Sequence, residues 1–421
     1  MTASTFGRSR PGETMIDVEE AQRRVLAEVA FVDTERVPLS AALGRVLRED
    51  IVAPRDVPAA DNSAMDGFAL RANDIALASN DAPVVLRVAG DLPAGVVAKE
   101  AVEPGTAMRI MTGAPVPRGA DCVAQVEITD GGSTEVRVFH PLAQGANIRR
   151  RAEDMREGEL VLRNGARIGA GELGVAASAQ RSELLVGRRP VVAVFSTGAE
   201  LVDVGSPVGA GQVVNSNSYS LAALAEEAGA TVRRLGIVGD TKEATVRAIE
   251  AALDADIVLS SGGVSVGAYD FVKDALDDLG AETIFWKVAM KPGKPVVFSR
   301  LRGKLYFGLP GNPVSCMVSF HLFIAPALRK AMGMTGGLLP PVVHARLAAP
   351  LEAKGDRRVY MRVRVTASGG ELVAAPARAQ GSGVSTSMVG ANGLAILEPG
   401  ASSLAAGDSV PVVLIGPIAA G

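Results

Sequence analysis

From Arg189 onward, apolar and polar positions alternate in regular blocks. Val191–Phe195 is an apolar run of strand length, and Ser218–Ala228 carries apolar residues at helical spacing. Strand Thr231–Val238, helix Lys242–Leu253, strand Asp256–Ser260 and helix Phe271–Leu279 follow in turn. Strands that alternate with helices at this spacing predict a doubly wound α/β domain, a parallel sheet with helices on both faces. Strand-like segments Thr283–Val288, Val296–Ser299 and Lys304–Gly308 come next. An apolar helix, Val314–Leu328, is entered through Pro313, whose fixed φ suits a first helical turn. Near the chain start, residues 14–30 have apolar positions at helical spacing, with Asp17 placed to cap them. Between Val37 and Gly187 the texture differs. Short runs such as Val84–Ala89 and Glu135–Phe139 are broken by Gly, Pro and Asp, which predicts several small β units and no long helix. Beyond Gly336, alternating stretches such as Val359–Val365 and Leu394–Leu397 predict a terminal β domain resembling a barrel.

A chain of 421 residues exceeds what one core fills, about 250–300 residues, so two to four domains are expected. Its 48% hydrophobic and 21% charged content is that of a globular protein, and 47 Gly with 24 Pro imply many turns. A net charge of −3 argues against a nucleic-acid binder that works by bulk electrostatics, so any anionic ligand must be held locally. Cys122 and Cys316 stand far apart without a CxxC, which supports neither a disulfide framework nor a zinc knuckle and fits a reducing cytoplasm. The first residues lack the apolar core of a signal peptide, and no apolar run reaches the ~18 residues of a membrane helix, so a cytoplasmic protein is expected. His140, His321 and His344 share no metal-ligand spacing, and no Ser-His-Asp or Cys-His arrangement emerges.

The candidate chemistry lies at strand ends. Ser260–Asp270, SSGGVSVGAYD, joins a strand to a helix through glycines, a place where backbone N–H groups are left for an anion. Gly262, Gly263 and Gly267 permit positive φ, Ser261 and Ser265 supply hydroxyls, and Asp270 stands where it would cap the helix or hold a cation. Ligands of doubly wound sheets bind beyond the carboxyl ends of the strands. The matching set is therefore Ser196, Thr197, Gly198 and Glu200 after the first strand, Asp240 after the second, the glycine turn after the third, and Pro310, Gly311, Asn312 and Pro313 after the last. Taken singly these are caps and turn formers. Three acids, Glu200, Asp240 and Asp270, beside glycine turns on one edge point to Mg²⁺ and phosphate. Lys287, Lys291 and Lys294 crowd a loop stiffened by two prolines, which suits phosphates or an oxyanion. Asp61–Gly67 and Met108–Asp121 read as loop surfaces that meet a polar ligand, and Arg149–Arg151 with Glu153 and Asp154 as a solvated or salt-bridged face.

In order along the chain, DNSAMDG, RIMTGAPVPRGAD, FSTGAEL, SSGGVSVGAYD, FWKVAMKPGKP, GLPGNPVS and QGSGVSTSMVGANGLAIL resemble the molybdopterin molybdenumtransferases, the family that includes the E domain of gephyrin. The resemblance implies an enzyme that takes adenylylated molybdopterin (molybdopterin-AMP) and molybdate, inserts the metal at the dithiolene and releases AMP with Mg²⁺ assistance. It implies four parts: 1–28 with 185–335 as the α/β molybdopterin-binding domain, 29–55 with 150–184 as a linking domain, 56–149 as a β-rich domain, and 336–421 as the terminal β domain. It further implies a homodimer in which Asp61, Asp66 and Thr112 of one subunit face Glu200, Asp240 and Asp270 of the other. Lys287 and Lys291 would serve the anions, and Pro310 and Pro313 the pocket's shape. Molybdopterin adenylyltransferase and molybdoenzymes are the protein partners it suggests; nucleic acid and membrane are not. Ala199 stands where many relatives carry an acid before Glu200. Two alternatives are a dimeric scaffold of the gephyrin type and an enzyme that only adenylylates molybdopterin. The large regions before Arg189 and after Gly336 disfavour the second.

Overall fold

The computed structural model describes residues 14–264, 271–353, 355–400 and 403–420. Ser265, Gly267 and Asp270 lie outside them. The chain divides into two compact units, Met1–Arg48 with Gly165–Ile168 and Leu185–Gly421, and Glu49–Asn164 with Gly169–Leu184.

In the larger unit, helix α1 (Val18–Glu28) opens where expected, with the Asp17 carboxylate accepting the Glu20 N–H at 2.7 Å. The α/β elements are β1 (Val191–Thr197), α2 (Asn217–Glu227), β2 (Thr231–Val238), α3 (Lys242–Ala252), β3 (Ile257–Ser261), α4 (Phe271–Asp278), β4 (Glu282–Lys287), β5 (Pro295–Leu301) and β6 (Lys304–Leu309). They form a six-stranded sheet in the order β2-β1-β3-β6-β5-β4. Strands β2, β1, β3 and β6 run parallel, whereas β5 runs against them and β4, antiparallel to β5, returns to their direction, so the sheet is mixed rather than wholly parallel. Short turns between β4, β5 and β6 leave no helix to carry the chain back across the sheet, which forces the antiparallel course.

Both faces of this sheet are buried, as the continuous apolar runs require. Val192, Val194, Ile257 and Leu259 join one core with α1 and α2, while Ala193, Phe195 and Val258 join another with α3 and α4. Trp286 belongs to the second core, under the Lys273 ammonium. The helix after β6 runs as Pro313–Ser319, a wider π turn Phe320–Ile324, and Ala325–Ala331. Pro326, with no N–H to offer the preceding turn, sits where the regular helix resumes. His321, on the wide turn, has its pKa pulled down to about 4 by burial and by Arg329, so it stays neutral near pH 7.

Beyond these lies a closed five-stranded barrel: β7 (Val342–Leu347), β8 (Arg358–Ser368), β9 (Glu371–Pro376), β10 (Gly393–Leu397) and β11 (Ser409–Leu414). It pairs in the circle β8-β9-β7-β11-β10-β8. Closure leaves no open edge within the circle. Tyr360, Leu394 and Val413 of the barrel reach the first α/β core.

The smaller unit holds a five-stranded sheet in the order Cys122–Gln125, Gly67–Leu70, Thr106–Ile110, Val84–Leu92, Glu135–Val138. Gly67 is required by packing: a Cβ there would lie 2.0 Å from the Ala124 carbonyl oxygen. This unit also contains a short helix, Ala170–Ser178, in a stretch where the spacing of Gly and Pro predicted small β units and no long helix. The Glu172 carboxylate, reaching back to the Gly169 N–H at 2.8 Å, offsets the poor helix propensity of Gly171 and Gly174. Both cysteines are free and buried, and burial pushes the Cys122 thiol up to about 12. No helix among the described residues is long and apolar enough to cross a membrane.

Candidate active site

Loops at the carboxyl ends of β1, β2, β3 and β6 enclose a crevice of about 300 Å³ in the larger unit. Thr197, Gly198, Glu200, Asp240, Ser261, Gly262, Gly263, Gly311 and Pro313 line it, with Asn215 and Asn217 at the start of α2. The β3 turn fits against β1 because it has no side chains there. A Cβ on Gly262 would lie 2.3 Å from the Thr197 carbonyl oxygen, and Gly262 and Gly263 have φ of +90° and +65°. The Gly262 N–H does not stay free for an anion, since it donates to the Leu309 carbonyl at 3.0 Å. Ser196 supports the crevice from beneath rather than lining it. Fully buried, it lies 3.0 Å from the Ser261 hydroxyl and donates to Asn215 Oδ1 at 2.9 Å.

The crevice is acidic. Burial, and then the charge of Glu200, hold the Asp240 carboxyl above its ordinary pKa, and no lysine or arginine is among the described lining residues. A neighbouring cavity of about 580 Å³ has the opposite sign. Lys291, Lys294, Arg357 and Arg362 line it against one acid, Glu352. Arg362 is 1% exposed and donates to the Ser387 hydroxyl and the Gly381 carbonyl at 3.2 and 3.1 Å. It has no carboxylate partner among the described residues, and burial lowers its pKa. The loop after β6 divides the two spaces: Gly311 and Pro313 face the acidic crevice, Pro310 and Asn312 the cationic cavity. Lys287 lines neither.

In the smaller unit, two loops far apart in sequence form one surface. Gly113 N–H donates to the Ser63 carbonyl at 2.8 Å, Ser63 N–H to Ala114 at 2.9 Å, and Val116 N–H to Asp61 at 2.9 Å. Thr112 donates its N–H and its hydroxyl to Asp66 Oδ1 at 2.6 and 2.7 Å, which lowers the Asp66 pKa. Asp61 is lowered by the Arg151 N–H and then by the Arg150 guanidinium, at 2.8 and 2.7 Å. The charged run after Arg149 is thus the salt-bridged face that its composition suggests.

Family models match nearly the whole chain: the MoeA N-terminal region (domain I and II) over residues 16–179, a probable molybdopterin binding domain over 193–330, and the MoeA C-terminal region (domain IV) over 344–415. Molybdopterin molybdenumtransferase 2 of Mycobacterium tuberculosis is 44% identical over 358 residues, covering 82% of this chain and 88% of that one. The chain belongs to the molybdopterin molybdenumtransferase family. It is a transferase. The Bacillus subtilis molybdopterin molybdenumtransferase is 37% identical over 412 residues, 96% of this chain and 94% of its own. The crystal structure of a molybdopterin biosynthesis MoeA protein from Pyrococcus horikoshii superposes with a TM-score of 0.80 at 29% identity, covering 95% of this chain and 100% of that one.

Among the members of this transferase's two cavities that sequence reasoning missed are Asn215, Asn217, Arg357 and Arg362. The asparagines lay in a polar run, NSNSYS, that reads as a helix start, and the arginines in the β domain, remote in sequence from the lysine loop they join.

Proposed function

We propose that this transferase inserts molybdenum from molybdate into adenylylated molybdopterin and releases AMP, in a reaction that depends on Mg²⁺. The observation that carries the reading is the pair of cavities of opposite charge with the Pro310–Pro313 loop as their common wall. A phosphoanhydride beside Glu200 and Asp240 would be repelled unless a cation lay between them. The donor set fits Mg²⁺, which takes one or two carboxylates and completes its shell with phosphate oxygens and water; the described residues assemble no larger ligand cluster. Bound there, the ion would neutralise charge on the phosphoanhydride as it breaks.

The protein's own groups do the rest. Glu200 and Asp240 hold the cation, with Asp270 expected beside them. The β3 turn and Thr197 shape the seat of the phosphates. Molybdate is an oxyanion, and the excess of cations at Lys291, Lys294, Arg357 and Arg362 favours its entry and orientation. The dithiolene sulfurs that receive the metal belong to the pterin, so no protein thiol is needed. We further propose that Asp61, Asp66 and Thr112 of a second copy complete the site in a homodimer. Their pre-bonded loop surface, together with the family resemblance, supports that reading.

Incubation of the purified protein with adenylylated molybdopterin, molybdate and Mg²⁺ is the test. AMP and molybdenum cofactor are expected in equal amounts; formation of neither rejects the reading. For the dimer, a Thr112 and an Asp240 variant, each inactive alone, should recover part of the activity after mixing and subunit exchange.

A further inference from the structure

Three residues of the acidic crevice are more than nine-tenths buried, Asn215, Thr197 and Asn217 at 2%, 5% and 8% exposed. Each keeps a polar atom with no partner among the described residues: Asn215 Nδ2, Thr197 Oγ1 and Asn217 Oδ1. Such groups are costly in a folded protein, and their gathering in one cavity points to a ligand. The orientation of both amides is set by backbone. Ser218 N–H can only donate, and it meets Asn215 Oδ1 at 3.4 Å alongside the Ser196 hydroxyl at 2.9 Å. The Gly311 carbonyl can only accept, and it takes the Asn217 amide hydrogen at 2.7 Å. What remains is therefore the NH₂ donor group of Asn215 and the C=O acceptor of Asn217.

Helix capping alone does not account for Asn215. An aspartate would offer the same oxygen to Ser218 and would suit the positive end of α2. A phosphate does not account for the pair, because Asn217 Oδ1 would repel it. A bare cation does not either, because Asn215 Nδ2 would repel that. A neutral edge with an acceptor beside an N–H satisfies both, and about 300 Å³ accommodates a bicyclic ring.

Resting on the reading of this crevice as the substrate's seat, we propose that Asn215 and Asn217 recognise the donor–acceptor edge of a neutral nitrogen heterocycle, while the phosphates lie toward Glu200 and Asp240. Adenine and a pterin both carry such an edge, and the experiment separates them. Dissociation constants for adenosine, 6-hydroxymethylpterin, ribose 5-phosphate and AMP are measured calorimetrically for the wild type, Asn215→Ser and Asn215→Asp. The serine variant should weaken adenosine or the pterin at least tenfold and leave ribose 5-phosphate within twofold; the arm that falls names the ring. Asn215→Asp keeps the capping oxygen but replaces the amide donor by a carboxylate, so at a temperature where it is folded it should lose the same arm. Should Asn215→Ser not fold, Asn217→Ser carries the same comparison. Unchanged affinity for both heterocycles, with AMP still bound by the wild type, overturns this inference alone, as does an equal loss for ribose 5-phosphate. If the wild type binds neither AMP nor either ring, the crevice is not the substrate's seat and both readings fall together.

Discussion

The acidic crevice and the cationic cavity share the Pro310–Pro313 loop as a wall, yet they are built differently. The crevice comes from consecutive strand ends of one sheet, so its acids and glycines recur at each β–α junction and stand close to backbone that packing holds in place. The cavity draws Lys291 and Lys294 from a proline-stiffened loop, Arg357 from just before barrel strand β8 and Arg362 from within it. In the first, burial and then the facing charge of Glu200 raise the Asp240 pKa. In the second, Arg362 is buried with no carboxylate partner among the described residues. Each half is electrostatically unsatisfied in the opposite sense, and each is relieved by what the other repels: a cation in one, an oxyanion in the other.

Four experiments can break or sharpen this contrast. Replacing both acids, Glu200→Gln with Asp240→Asn, should lower Mg²⁺-dependent AMP release by about 10²- to 10³-fold, while molybdate affinity in the other cavity holds. Lys291→Ala with Lys294→Ala should raise the KM for molybdate by about 10- to 100-fold, the worth of charge-assisted hydrogen bonds, and leave AMP binding unchanged. Equal damage to both ligands by either double variant would mean that the cavities act as one. Gly262→Ala forces a side chain into Thr197 at positive φ and should cost about 1–3 kcal/mol of stability, read by denaturant unfolding.

The smallest effect concerns pH. Asp240 has a folded pKa above its unfolded value, so its penalty appears as pH rises from the unfolded pKa through the folded one, and it persists above both. Asp240→Asn should therefore melt slightly higher than the wild type at pH 7 and equally at pH 3. In the wild type, Mg²⁺ affinity should begin to fall at a higher pH than an ordinary carboxylate, near about 3.9, would dictate.

Much of this was legible because it is local. Continuous apolar runs reported strands buried on both faces, Asp17 reported a helix start, and residues after successive strands shared one crevice because a parallel sheet points them the same way. The closed barrel, too, followed the alternation beyond Gly336. The failures are non-local or depend on compensation. The reversed direction of β5 depends on connection length more than on side-chain pattern. Helix Ala170–Ser178 forms despite its glycines because of one capping carboxylate. Lys287, grouped by spacing with Lys291 and Lys294, leaves them because the chain turns between β4 and β5, while Arg362 arrives from the barrel, beyond any sequence window. The spent N–H of Gly262 was hidden for the same reason, since its acceptor comes from β6.

Both sulfhydryls are sealed in packed interior, and Cys316 donates to the Pro310 carbonyl at 2.7 Å directly behind the wall between the two cavities. A cargo that bears its own pair of reactive sulfur atoms can therefore rest against that wall without being captured as a mixed disulfide, and thiol-directed reagents will reach these cysteines only as fast as the enzyme opens.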